Sequence, residues 1–115
     1  MWHNPTIEMI KGNNTEEGMK FDDDKNRLAL VLRGFAKAIW RVGEVGTFGA
    51  RKYAPDSWQK VQHGKKRYLN AMLRHLFLYF QGKMKDSESG FSHLSHVAWN
   101  ALAVLTLEIE ENENI

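Results

Sequence analysis

Apolar residues recur at spacings of three and four along much of the chain, and that period predicts helices. From Leu28 the positions Leu28, Val31, Leu32, Phe35, Ala38, Ile39, Val42 and Val45 form one stripe, the pattern of a helix with a single buried face. The run "FDDDKNRL" before it has the acidic residues that suit a helix entrance. Gly43, Gly46 and Gly49 then interrupt, and each costs a helix interior about 1 kcal/mol relative to Ala. A kink, a break, or close approach of another group is expected there.

A connector containing Pro55 and Gly64 follows, with Trp58 as a large apolar body that needs a surface to cover. Lys66 to Gln81 reads as an amphipathic helix, with Tyr68, Leu69, Met72, Leu73, Leu76, Tyr79 and Phe80 on one side and Arg67, Asn70 and Arg74 on the other. Gly82 closes it. From about Ser92 to Glu111 the chain is apolar around most of a helical circumference, so this segment is expected to be the central helix. Met1 to Met19 is polar and broken by Pro5, Gly12 and Gly18, and reads as a flexible arm with at most one helical turn, around Ile7 to Lys11. Strand-like alternation is not sustained anywhere. The expected fold is therefore all-α, a bundle of three to four helices in one domain from residue 20 to 115. An oligomer is expected too, because so apolar a helix is hard to cover with so few partners.

With 115 residues, 43% of them hydrophobic, the chain can bury one modest core. It has no cysteine, which excludes disulfides, thiolate metal sites and cysteine nucleophiles. No apolar run approaches a membrane span and the first residues lack a signal core, so a soluble cytoplasmic protein is expected. The net charge is only +2. Yet Arg51, Lys52, Lys60, Lys65, Lys66, Arg67 and Arg74 crowd the middle third, where a phosphate-bearing ligand would find counter-charge.

The polar residues of "DSESGFSHLSHVAWNALAVL" are the main chemical signal. At about 100° per residue, His93, His96 and Asn100 project from one narrow arc of an otherwise apolar helix. Two histidines three residues apart can share a metal, Asp86 and Glu88 stand just before them as oxygen donors, and His75 on the preceding antiparallel helix can approach the same end. Such a set suits manganese, iron, cobalt or zinc, whereas magnesium prefers carboxylates alone. The plainer reading is that each histidine is a neutral core residue and the acids merely complement a helix start. Asn100 has three roles open to it: holding a histidine tautomer, binding a base edge, or capping a carbonyl. Lys52 and Tyr53 follow a glycine-rich stretch that can cradle phosphate, and Arg67 is either a solvated position or a phosphate ligand.

In order along the chain, "KFDDDKNRLAL", "VGTFGARKYAPDSWQKV", "RYLNAMLRHLFLYFQG" and "DSESGFSHLSHVAWNALAVLTLE" resemble the small phage and prophage family of dATP/dGTP diphosphohydrolase N-terminal domains. The resemblance runs from Lys20 to Glu108. It implies a helical, metal-dependent protein of the host cytoplasm that splits a purine deoxynucleoside triphosphate into monophosphate and pyrophosphate. Under it, His75, Asp86, His93 and His96 hold a divalent ion (manganese, magnesium, cobalt or zinc). Lys52, Tyr53, Arg67 and Asn100 hold the nucleotide, with Lys52 also neutralising developing charge and Glu88 acting as the base. Neither a nucleic acid nor a membrane is an expected partner. The alternatives are a module that captures a nucleotide without cleaving it, as a sponge against host defence would, and an inhibitor that binds a host protein through its aromatic surface.

Overall fold

The structure, a computed structural model, describes residues 18–113. It is all-helical: α1 (Leu28–Gly34), α2 (Ala36–Lys52), a 3-10 turn (Ser57–Lys60), α3 (Gly64–Phe80) and α4 (His93–Glu113). Among the described residues the only strand-like feature is an isolated antiparallel bridge between Lys85 and Ser92. No helix among them is long and apolar enough to cross a membrane. The expected turn around Ile7 to Lys11, and nearly all of the expected arm, lie outside the described residues. The chain divides between Ala36 and Lys37 into two units.

The first unit carries α1, seven residues with no acidic residue in its first turn. The acidic run does not cap it. Lys25 N–H donates instead to Asp22 O at 3.0 Å, closing a turn before the helix begins. The stripe expected to form one helix from Leu28 to Val45 is interrupted at Phe35, whose φ of −104° and ψ of 19° leave helical geometry just after Gly34. The break is therefore earlier than the three glycines that follow, which all stay helical within α2. Gly46 has a packing reason: a Cβ there would stand 3.1 Å from Trp99 Nε1, so the missing side chain lets the indole reach the helix backbone.

The second unit is built on α3 and α4, an antiparallel pair read from its contacts. Gly64 meets Leu107, Tyr68 meets Trp99, and His75 meets His96. Helix α3 starts two residues before the expected Lys66, after His63 in left-handed geometry at φ 56°. It ends on Gly82 at φ +86°. There Lys83 N–H reaches Leu78 O at 3.1 Å and Gly82 N–H reaches Tyr79 O at 3.0 Å, a Schellman closure that satisfies two orphan carbonyls.

Among the described residues the buried apolar side chains are few, Val45 and Ala103. The described residues cover helix α4 on one side only: Leu94, Leu102, Leu105 and Ile109 are exposed, as are Leu69, Leu73, Phe77 and Phe80 of α3. The covered side carries the aromatic cluster of Trp58, Tyr68 and Trp99, whose centroids lie 5.6 to 6.2 Å apart in edge-to-face contact. The Tyr68 hydroxyl donates to Trp58 O at 2.8 Å, and burial pushes its pKa up, keeping it a donor.

Candidate active site

The loop between α3 and α4 folds back on itself. Gly90 N–H donates to Asp86 O at 2.8 Å, Asp86 N–H to Phe91 O at 2.8 Å, and His93 N–H to Met84 O at 2.9 Å. Gly90 takes a φ of +79° that a side chain would resist. Phe91 ties this loop to α2 by an edge-on contact with Phe48, centroids 6.1 Å apart. Ser92 Oγ accepts Leu94 N–H at 3.1 Å, which caps α4 and fixes where its first histidine emerges.

Three predicted residues converge at that point. One ligand atom each from His75, Asp86 and His93 lies within 4.8 Å of the others. His75 Nδ1 and His93 Nδ1 are 2.8 Å apart. Two nitrogens bound to one ion at about 2.1 Å sit about 3.0–3.4 Å apart, so the pair must widen by a few tenths of an ångström and the rings turn to aim both lone pairs at one ion. Between two such nitrogens there is room for one proton, and it must shift to Nε2 before an ion can enter. A donor set of two imidazoles and a carboxylate fits a divalent metal ion.

His96 belongs to the cluster differently. Its ring stacks on His75 with centroids 4.4 Å apart and planes 7° from parallel. Its Nε2 is 2.7 Å from Ser89 Oγ, and that hydroxyl is also 2.8 Å from Asp86 Oδ2. A serine has one proton for these two neighbours. Burial raises the Asp86 pKa, but the two bonds from Ser89 and the nearby His96 and His75 outweigh it. The net shift is downward, and Asp86 is a carboxylate that only accepts. The serine proton therefore goes to Asp86, and His96 Nε2 carries a proton and donates to Ser89. This occupies the nitrogen that faces the carboxylate. Nitrogen-15 NMR of the metal-free chain is expected to show His96 protonated at Nε2; protonation at Nδ1 alone would contradict the proton count.

Burial lowers the pKa of both His75 and His96, and their mutual proximity adds to it for His75. Asp86 only partly offsets burial at His96. Both imidazoles are thus held neutral, the form that ligates. Unfolded histidines titrate near 6.5, so this stabilising contribution is present above pH 6.5 and is lost as pH falls toward the lowered folded values. The Asp86 shift has the same sign at lower pH. The metal-free chain should accordingly show a urea midpoint that falls from about pH 7.5 to about pH 5.5, with a flatter dependence in His96→Gln.

Lys52 Nζ, at the end of α2, forms an ion pair with Glu88 Oε2. The bond to Glu88, then that to Tyr53, raises the Lys52 pKa. The Lys52 ammonium also sits 5.1 Å from the centre of the exposed Tyr53 ring. Asn100, 5% exposed, donates through Nδ2 to His96 O at 2.8 Å. Of its three open roles this is the carbonyl cap. A cleft of about 1030 Å³ brings these groups together: Lys52, Tyr53, Arg67, Asn100, His75, Asp86, Glu88 and His96 all line it. His93 is 2% exposed and stands behind that lining. Sequence reasoning missed Ser89, whose only signal was the serine–glycine turn pair, and the wall of Trp58, Tyr68 and Trp99.

A family model described as "dATP/dGTP diphosphohydrolase, N-terminal" matches residues 15–114. A protein of Salmonella phage PMBT28 described as a dATP/dGTP diphosphohydrolase is 30% identical over 90 residues, which are 78% of this chain and 29% of the relative. The chain thus spans under a third of that relative's length. No solved structure matches.

Proposed function

The chain belongs to the dATP/dGTP diphosphohydrolase N-terminal family, and we propose on that premise that its cleft binds a purine deoxynucleoside triphosphate and hydrolyses it to monophosphate and pyrophosphate. The observation that carries the reading is the convergence of His75, Asp86 and His93 beside a cleft whose wall supplies Lys52 and Arg67. A bound divalent ion would polarise the phosphates and lower the pKa of the attacking water. Two imidazoles and a carboxylate favour manganese, cobalt or zinc over magnesium. His96 serves the set by holding Ser89, and through it Asp86. The setting for such a reaction is the host cytoplasm.

The chain's own groups supply the rest. In the free protein Lys52 and Glu88 neutralise each other. A triphosphate oxygen competes for the Lys52 ammonium and frees the Glu88 carboxylate. Glu88 then accepts a proton as water oxygen joins the α-phosphorus and the bond to the β-phosphate breaks, with pyrophosphate leaving. Lys52 and Arg67 offset the charge that develops on the phosphates.

Incubation of the full chain with dATP and manganese, followed by anion-exchange chromatography, tests this. The expected products are dAMP and pyrophosphate, with Glu88→Gln slower by about 100-fold or more. Intact dATP recovered on denaturing the protein would instead support the capture module, and neither turnover nor retained nucleotide would overturn both.

A further inference from the structure

We infer that the nucleotide lies in one direction along the cleft, its base stacked on Trp58 at the aromatic wall and its phosphates at the Lys52 and histidine end. This rests on the nucleotide reading above and adds the subsite that would recognise the base. Trp58 is pre-positioned. Its carbonyl is pinned by the Tyr68 hydroxyl at 2.8 Å, and its ring is wedged edge-to-face against Trp99 and Tyr68, centroids 5.6 and 6.2 Å away. The three rings touch one another, leaving no gap at their centre for a ligand. A planar group can therefore be received only on an outer ring face, and all three rings line the cleft.

The spacing along the helices sets the direction. Tyr68 and His75 are seven residues apart on α3, two turns or about 10 Å. Trp99 and His93 are six apart on α4, about 9 Å. The aromatic wall and the candidate ligands are thus separated by roughly the reach of a nucleoside from its base to its phosphates. Arg74, next to His75 in sequence, adds a cation at the ligand end, while Arg67, next to Tyr68, starts about two turns away; both line the cleft. An apolar, planar surface at one end and cations with metal-type ligands at the other match a ligand that is aromatic at one end and anionic at the other. A stacked indole does not read hydrogen bonds, so selection here follows ring size, and the larger purine face gains most.

Calorimetry of the full chain separates the two ends, using dAMP, deoxyribose 5-phosphate and inorganic tripolyphosphate as probes. dAMP is expected to bind more tightly than deoxyribose 5-phosphate. Trp58→Ala should weaken dAMP about 5- to 150-fold and leave tripolyphosphate unchanged, which also reports that the fold survives; Trp58→Phe should restore most of the loss. The inference is overturned if the base adds no affinity in the wild-type chain, or if Trp58→Ala weakens dAMP and tripolyphosphate alike. Tripolyphosphate binding with no gain from the base would sink the subsite and leave the phosphate end standing. dAMP binding with no affinity for tripolyphosphate would sink the phosphate end instead.

Discussion

Replacing His93 with Gln is expected to lower divalent-ion affinity at least about 100-fold and to remove metal-dependent turnover with it. His93 is 2% exposed and faces His75 Nδ1 at 2.8 Å, so the variant removes a ligand nitrogen from the floor of the site while keeping much of the side-chain volume. His96→Gln should lose less, about 10-fold. That ring reaches Asp86 through Ser89, and its removal loosens one ligand without deleting it. Titration of both variants with manganese, alongside the wild-type chain, checks the ranking. Unchanged affinity in His93→Gln, or a larger loss in His96→Gln, would contradict the assignment of the two rings.

The second large effect is on stability. Trp99→Ala should cost about 3 kcal/mol, because Trp99 joins three elements at once. Its indole nitrogen edge lies against Gly46 of α2, and its ring meets Trp58 of the 3-10 turn and Tyr68 of α3. With so few fully buried apolar side chains elsewhere in the described residues, a loss of that size is a large part of the typical stability of a small domain. Trp40→Ala is the contrast. That indole is 73% exposed, and its removal should change stability by about 0.5 kcal/mol or less. Urea denaturation of the two variants measures the difference directly; similar midpoints would mean that the aromatic cluster does not hold α2 and α4 together.

The helices were legible where their apolar period ran uninterrupted. Residues 66–80 carried a clear stripe and 93–111 a nearly continuous apolar circumference, and Gly82 announced the end of α3 because a Schellman closure needs the positive φ that glycine gives. The α1–α2 break was not legible. The apolar stripe passes straight through Phe35, and Gly34 carries no stronger signal than the three glycines after it. Gly46 in fact serves a contact with Trp99, which lies more than fifty residues away in sequence. Helix α4 was expected at the centre, yet an apolar circumference states only what could be buried, and the described residues cover one side of it.

At the site, helical spacing brought His93 and His96 to one end of α4, but spacing alone could not separate their roles. That separation comes from Ser89, whose single hydroxyl proton is claimed by Asp86. Similarly, Lys52 and Glu88 were read as two independent catalytic groups, and their pairing with each other depends on where the end of α2 meets the loop. The aromatic wall was invisible in the same way, since Trp58, Tyr68 and Trp99 come from three segments that no local pattern links.

The proposed function requires His75, Asp86 and His93 to hold a single divalent ion at the floor of the cleft. Anomalous diffraction from crystals of the chain grown with manganese tests it most directly. One strong peak within bonding distance of His75 Nδ1, His93 Nδ1 and an Asp86 carboxylate oxygen is the expected result. A map with no peak there, and the two imidazoles still joined to each other by a hydrogen bond at saturating manganese, would contradict it.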